Sequence, residues 1–418
     1  MKSSLCVFLV LFCIFTQQGW SQAGATAVPF LLISPSTEAN GMGGIMTSVT
    51  PTNSSTMVFN PAQLGMLSRT HSFSSDFYTN VVQWLPAFNL SDLWLNNYSM
   101  MYGVNLGDAF PDNVSIGIGY SRTYLNLGEF VRTSGTDPAA IEQFHGHESS
   151  NNYSIGFSFD VGAIIALGTT LKSINSSLVP FGTAQEAGSE DANLTAVDLG
   201  VISKIPIDKL LWNNANELPH SITPTLDFTC SYAMDNLGGS VKYGGSTQED
   251  PLPRIVRIGW SVESGLQVNL KGTSFNFVQL TIAREAENIL ATRNADGTIG
   301  RYKGPFGDIN INTALIESRQ HGYVDVRRGF SAQLLETFTY RQGSFDGIGN
   351  LVYNTTGMTI STRGFSRLMG SIVENDHGFS LTKYFLSHFE IRVSSSEYSH
   401  HDILENTKFN NIVFSFYQ

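Results

Sequence analysis

Tyr153-Ser154-Ile155-Gly156-Phe157-Ser158-Phe159-Asp160-Val161 is the stretch on which the fold turns. Every second residue is large and apolar, and the residues between are small or polar. Successive side chains of an extended chain point to opposite faces, so this segment has one oily face and one polar face. The same rhythm recurs on either side. Val114, Ile116, Ile118 and Tyr120 interleave with Ser115, Gly117, Gly119 and Ser121. Leu226, Phe228, Cys230 and Tyr232 interleave with Thr225, Asp227, Thr229 and Ser231, and Val256, Ile258, Trp260 and Val262 with Arg257, Gly259 and Ser261. Phe389, Ile391 and Val393 do the same with Glu390, Arg392 and Ser394. Further strands are expected near 101–107, 164–172, 194–202, 275–284, 332–341, 357–363 and 411–417. In the 275–284 segment the alternation slips between Phe277 and Val278, the mark of a bulge. In 332–341, Glu336 falls on the apolar face, where a lone carboxylate toward lipid is costly.

A soluble two-sheet sandwich would use the same alternation with its oily faces turned inward. Two features favour a membrane barrel instead. The polar face is rich in Gly, Ser and Thr and poor in Lys, and the segments number a dozen or more along one chain, which suits closure better than stacking. Lipid offers no partner for backbone N–H and C=O groups, so a β chain that crosses it must close on itself. The expected fold is therefore all-β, a closed antiparallel transmembrane barrel.

Composition agrees. Charged residues make up 14% of the 418, well below the usual share of about a quarter. No apolar run beyond the N-terminus is long enough for a spanning helix. Residues 1–23 read as a secretory signal: Lys2, an apolar core over 5–15, then Ser21-Gln22-Ala23 with small residues at the cleavage positions. Its removal leaves Cys230 as the sole cysteine, so no intramolecular disulfide can form. The net charge of −11 argues against a nucleic-acid partner, which needs a basic footprint.

Between the signal and the first strand lies a compact stretch of small residues. Pro29 and Pro35 bracket the apolar run Phe30-Leu31-Leu32-Ile33, readable as a short strand or turn. Gly41-Met42-Gly43-Gly44 permits positive φ and close backbone approach, and Asn60-Pro61 marks a turn. On local physics this is either an ordinary loop or a segment folded against walls supplied by the rest of the chain.

The order of an apolar run and proline, Gly41-Met42-Gly43-Gly44, then Phe59-Asn60-Pro61-Ala62-Gln63-Leu64 resembles the N-terminal region of the PorV/PorQ family. These are outer-membrane barrels related to the FadL-type fatty-acid transporters. A second block, Asn236-Leu237-Gly238-Gly239 with Asp250-Pro251-Leu252-Pro253-Arg254 and Arg257-Ile258-Gly259-Trp260, is similar to the corresponding family segment. The resemblance implies a barrel of about 14 strands, a plug or hatch over 24–67 within it, and a barrel proper over 68–418 with long outer loops. Asn60, Pro61 and Ala62, with Gly41, Gly43 and Gly44, would form the hatch. It implies localisation in the outer membrane of a Gram-negative bacterium. In relatives of that family the barrel receives or shuttles exported proteins in type IX secretion, with a translocon or cargo C-terminal domains as partners. The alternative is FadL-like transport of hydrophobic small molecules such as long-chain fatty acids, with Phe30, Leu31, Leu32 and Met42 either lining a greasy pocket or packing the plug against the wall. Membrane lipid is a partner on either reading. Relatives carry acidic residues ahead of the hatch turn, where this chain has Pro51-Thr52-Asn53-Ser54-Ser55.

The remaining motifs carry little chemistry. Polar stretches at 127–152, 175–193 and 286–312 read as loops, with a short helix across 284–291. His145-Gly146-His147-Glu148 reads as loop without metal, as does His400-His401-Asp402, since a zinc site needs three or four ligands. Asn294-Ala295-Asp296-Gly297 lacks the late bidentate glutamate of a calcium loop. Cys230 sits mid-strand as an inert wall residue. No cofactor, metal or catalytic residue is expected.

Overall fold

The structure, a computed structural model, describes residues 26–88, 90, 92–107, 113–133, 140–178, 191–211, 222–243, 249–270, 273–292, 301–372, 381–399 and 403–418. The signal segment, Asn294-Ala295-Asp296-Gly297 and His400-His401-Asp402 lie outside the described residues.

Fourteen antiparallel strands form one closed wall. They are β1 (His71–Tyr78), β2 (Trp94–Asn105), β3 (Ser115–Thr133), β4 (Ala140–Asp160), β5 (Ile164–Ser177), β6 (Asp191–Pro206) and β7 (Ile222–Gly238). They continue as β8 (Ile255–Leu270), β9 (Thr273–Ile289), β10 (Val324–Leu334), β11 (Phe338–Asp346), β12 (Val352–Ser361), β13 (Phe389–Ser399) and β14 (Lys408–Tyr417). Each pairs with its chain neighbour. The ring shuts where β1 pairs with β14, Phe77 opposite Ile412, and with β2, Phe77 opposite Tyr98. A two-residue strand, Val82–Gln83, rides on the start of β2. Closure leaves the wall without an open edge, as a lipid surround demands.

The direction of the oily face decides between membrane barrel and sandwich, and it points out. Along β4, Tyr153 and Phe157 are 56% and 40% exposed, while Ser154 and Ser158, the residue after each, are buried. Leu171, Leu199, Ile282, Met358 and Val393 are likewise exposed on their strands, whereas Ser121, Thr170, Thr229, Ser261, Thr355 and Ser394 are buried. A soluble protein inverts this pattern. The two ends of the barrel differ. At one, which we call the turn end, β8 and β10 finish, β9 and β11 begin, and β14 finishes. At the other, the loop end, β1, β7 and β9 finish and β2, β8 and β10 begin.

Local features follow the sequence unevenly. The slip at Phe277 is real: Leu266 pairs with Val278 and Gln267 with Asn276, leaving Phe277 unpaired in register. The expected single strand over 332–341 is instead two, β10 and β11, joined by a turn in which Leu335 and Glu336 take positive φ. Glu336 therefore sits on a turn, 3.1 Å from Arg367, and not on the lipid face. The polar stretch 127–152 is mostly strand, because β3 runs on to Thr133 and β4 starts at Ala140. Polar residues there still satisfy the ladder, and Gly128 and Gly146 face each other in it. The expected helix across 284–291 is the end of β9. Phe30–Ile33 forms no strand, since Pro29 starts a single 3₁₀ turn over Pro29–Leu32.

Candidate functional site

Residues 36–68 lie against the inward faces of wall strands. Two short helices are formed there, α1 (Thr37–Asn40) and α2 (Ala62–Leu67). Ser36 caps α1 by accepting a hydrogen bond from the Ala39 N–H. Every residue of both helices is buried.

The wall makes room for them with bare backbone. Gly103, Gly117, Gly156, Gly168 and Gly200 stand in register on five neighbouring strands, β2 to β6. Together they form a side-chain-free groove, and the Asn60-Pro61-Ala62 turn and α2 lie in it. A Cβ on Gly200 would stand 2.0 Å from the Asn60 Oδ1. The Asn60 side chain holds the turn, its Oδ1 accepting from the Ala62 N–H at 3.1 Å and its Nδ2–H donating to the Thr47 carbonyl at 3.3 Å. Gly329 and Gly343, paired across β10 and β11, receive the Gly/Met knot on the other side. Gly43 and Gly44 take φ of 73° and 81°, conformations that other residues rarely adopt. The Gly43 N–H donates to Thr355 Oγ1 at 2.8 Å. Gly41 packs on Gly357.

Charges then fasten the segment to the wall in both directions. Glu38 of α1 is 2.9 Å from Arg341 on β11 and 3.4 Å from Arg392 on β13. Burial alone would raise its pKa, but the two guanidinium groups and the Thr52 hydroxyl outweigh that and hold it at about 2. Conversely, Glu285 on β9 accepts from the Met46 and Thr47 N–H groups at 3.3 and 3.0 Å, and from the Thr47 hydroxyl at 2.5 Å. Glu263 on β8 accepts from the Thr50 N–H at 3.2 Å and also pairs with Lys204 at 3.0 Å. Arg257 lies between Asp235 and Glu287 and stacks 3.9 Å from the Phe59 ring centre. Paired charges of this kind are the form in which ionisable groups survive burial.

At the loop end the lumen is apolar. Val28, Phe30 and Leu31 pack with Tyr78, Val82, Leu95, Leu125, Ile174, Phe345, Tyr353, Tyr398 and Phe409 in one buried cluster. Leu32 is half-buried beside them. Met42 is elsewhere. It borders a cavity of about 130 Å³ between the segment and strands β8 to β11. Ala39, Ile45, Met46 and Val49 supply the rest of its apolar side, and Glu263, Gln279, Thr281, Ser331, Thr339 and Arg341 its polar side. So of the four residues expected to line a pocket, only Met42 reaches this cavity.

His145, His147 and Glu148 are on β4 and not in a loop. His147 stacks on Tyr124, and the Glu148 carboxylate accepts from Ser176 at 2.9 Å. Cys230 is exposed on the outer wall of β7.

The fold and its outward oily face define the class: a β-barrel of outer-membrane type. No family model matches the chain, and no curated protein does. Among solved structures, the Pseudomonas putida toluene transporter TodX aligns at 14% identity and TM-score 0.40, covering 91% of this chain and 96% of that one. A TodX deletion mutant described as a monoaromatic hydrocarbon channel aligns at 12% identity and TM-score 0.41, covering 91% and 98%. OccAB1 of Acinetobacter baumannii aligns at 8% and 0.30, covering 84% and 96%. Likenesses this remote carry no functional argument.

Proposed function

We propose that this chain is a gated outer-membrane barrel that passes small, largely apolar molecules, with residues 24–67 as its plug and the Asn60-Pro61-Ala62 turn and the Gly41, Gly43, Gly44 knot as the plug's seats on the wall. The observation that carries the reading is the cavity beside Met42, which lies between segment and wall and has an apolar side and a polar side. An apolar pocket with a few convergent polar groups is the usual form of a small-molecule site. Its size sets the substrate class. A cavity of roughly 150 Å³ takes a benzene ring, so about 130 Å³ suits a single aromatic ring or a short alkyl chain, and a long-chain fatty acid requires the plug to move. The polar side would orient a ligand carrying one hydrogen-bonding group. The type IX reading puts its contacts on the outer loops and the barrel mouth, and the buried Asn60-Pro61-Ala62 turn does not bear on it.

The test is equilibrium binding of toluene, and of a long-chain fatty acid, to the detergent-solubilised protein and to a Met42→Asp variant. The reading expects toluene binding that the variant loses, with the fatty acid weaker. Absence of toluene binding to the unmodified protein, or equal binding to both forms, defeats it.

A further inference from the structure

The outer wall carries a feature that a purely lipid-facing surface would not. At one level of the barrel Trp260, Arg284, Arg328, Ser344 and Asn354 are in register on β8 to β12, side by side. This is the outward face, since Ile282 and Phe330, two residues along their strands, are 47% and 38% exposed. Two arginines thus face each other directly across a strand pair, an arrangement that repels. Arg328 is held at one edge: its Nε–H donates to Ser318 Oγ at 3.1 Å, its guanidinium also meets the Ser318 carbonyl, and Asp346 lies 3.7 Å away. Arg284 has less. It donates to the neighbouring Ala283 carbonyl at 2.9 Å, and among the described residues no carboxylate pairs with it.

The row also marks a boundary. On the loop-end side, the connection after β9 folds back over the outer wall. Its Ala314 and Leu315 pack with Ala286, Val324 and Val326. The Trp260 indole N–H donates to the Leu315 carbonyl at 3.1 Å. Tryptophan anchored this way favours the level where hydrocarbon meets headgroups. On the turn-end side the wall is oily, with Leu280, Ile282 and Phe330 exposed. Between the two lies a groove of about 360 Å³, bordered by Ile282, Arg284, Arg328, Phe330, Gln342 and Asn354.

We propose that this groove binds a phosphorylated membrane lipid of the loop-end leaflet. Its phosphate would bridge Arg284 and Arg328, with Gln342 and Asn354 beside it, and its acyl chains would run down over Ile282, Phe330 and Leu280. A shared phosphate converts the repulsion between the arginines into two charge-assisted contacts of the planar, forked kind that guanidinium makes best. The apolar wall below requires the anion to carry chains, which a free phosphate lacks.

Native mass spectrometry of the full chain in non-ionic detergent tests this, with dioleoyl phosphatidic acid as probe, dioleoylglycerol as the phosphate-free control and inorganic phosphate as competitor. One phosphatidic acid should bind tightly. Arg284→Gln should weaken it about tenfold, as expected for a lost hydrogen bond to a charged group, and R284Q/R328Q should weaken it further. Dioleoylglycerol should not bind there, and inorganic phosphate in hundredfold excess should not displace the lipid. Arg284→Gln removes the like-charge contact, so its fold, read as heat-modifiable gel migration, should persist. Equal binding to the unmodified protein and both variants overturns the site, and displacement by equimolar inorganic phosphate overturns its assignment to a lipid.

Discussion

Pro61 rests on the backbone of Gly168: a Cβ there would stand 2.3 Å from the Pro61 carbonyl carbon. The contact joins the N-terminal segment to β5, and neither partner can retreat, one being backbone in a ladder and the other a proline. Gly168→Val should therefore push the Asn60-Pro61-Ala62 turn off the wall while the barrel still closes. Overpacking typically costs about 1–3 kcal/mol. Limited proteolysis in detergent should cut residues 36–68 faster in the variant, with heat-modifiable migration unchanged. Equal protection would mean that the groove of glycines does not seat the segment.

Glu38 is the acidic group by which the segment grips the wall through Arg341 and Arg392. Glu38→Gln leaves Arg392 with Glu390 at 2.9 Å, but takes from Arg341 its carboxylate. Removing one partner of a buried pair costs about 3–5 kcal/mol. That exceeds the expected effect of Gly168→Val, so hydrogen exchange over α1 should accelerate more in this variant. Exchange no faster than in the unmodified protein would show that the pair does not hold α1.

The same carboxylate fixes a pH response. Its pKa is lowered from 4.5 to about 2 in the folded protein. A depressed carboxylate contributes stability that is complete above the unfolded value and disappears as pH falls through the folded one. Protection of α1 should hence be level from pH 7 to 5 and decline between about 4.5 and 2. In Glu38→Gln that decline should be shallower. A decline centred near pH 6 would assign the response to another group.

How much of this was readable beforehand depends on which face of a strand carried the information. The outward face was legible because Tyr153, Phe157 and their counterparts alternate strictly, and a period of two survives any tertiary context. The inward face was legible only as small and polar. Gly117, Gly156 and Gly200 look like ordinary polar-face residues within their own segments, and become a groove only once register aligns them. The buried charges were hidden for the same reason: Arg257, Glu285 and Glu390 read as solvated positions until the segment beneath them is placed. Where single-segment reading failed outright, polarity misled it. Residues 127–152 look like loop, yet hydrogen bonding to a neighbouring strand does not require apolar side chains. Phe30 and Leu31 could be read as pocket-lining or as packing on the wall, and nothing in the run says which; their neighbours are loop-end residues such as Leu95 and Tyr398.

Arg367 ties the connection between β12 and β13 to the turn end of the wall, 3.1 Å from Glu336 and donating to the Ser274 carbonyl at 2.9 Å. Both contacts are partly exposed, so the pair contributes about 0–1 kcal/mol. Arg367→Ala should leave the melting of the barrel within about 1 kcal/mol of the parent. It should raise hydrogen exchange within Arg363–Ile372 selectively. Faster exchange in β10 and β11 as well would mean that Glu336 needs this partner to keep its positive-φ turn.

The cavity can be closed from the wall without touching the segment. Thr281 on β9 is 6% exposed and borders it opposite Met42, Ile45 and Met46. Thr281→Phe should place a ring in the space proposed for a ligand's ring, leaving too little of the roughly 130 Å³ for a second one. Glu285 and Glu263 keep their bonds to residues 46–50, so protection of the segment from protease should match the parent. Toluene binding, followed by calorimetry, should fall below detection. Loss of binding together with loss of protection would point to a dislodged segment. Binding retained at full strength would place the ligand elsewhere and remove the cavity from the transport path.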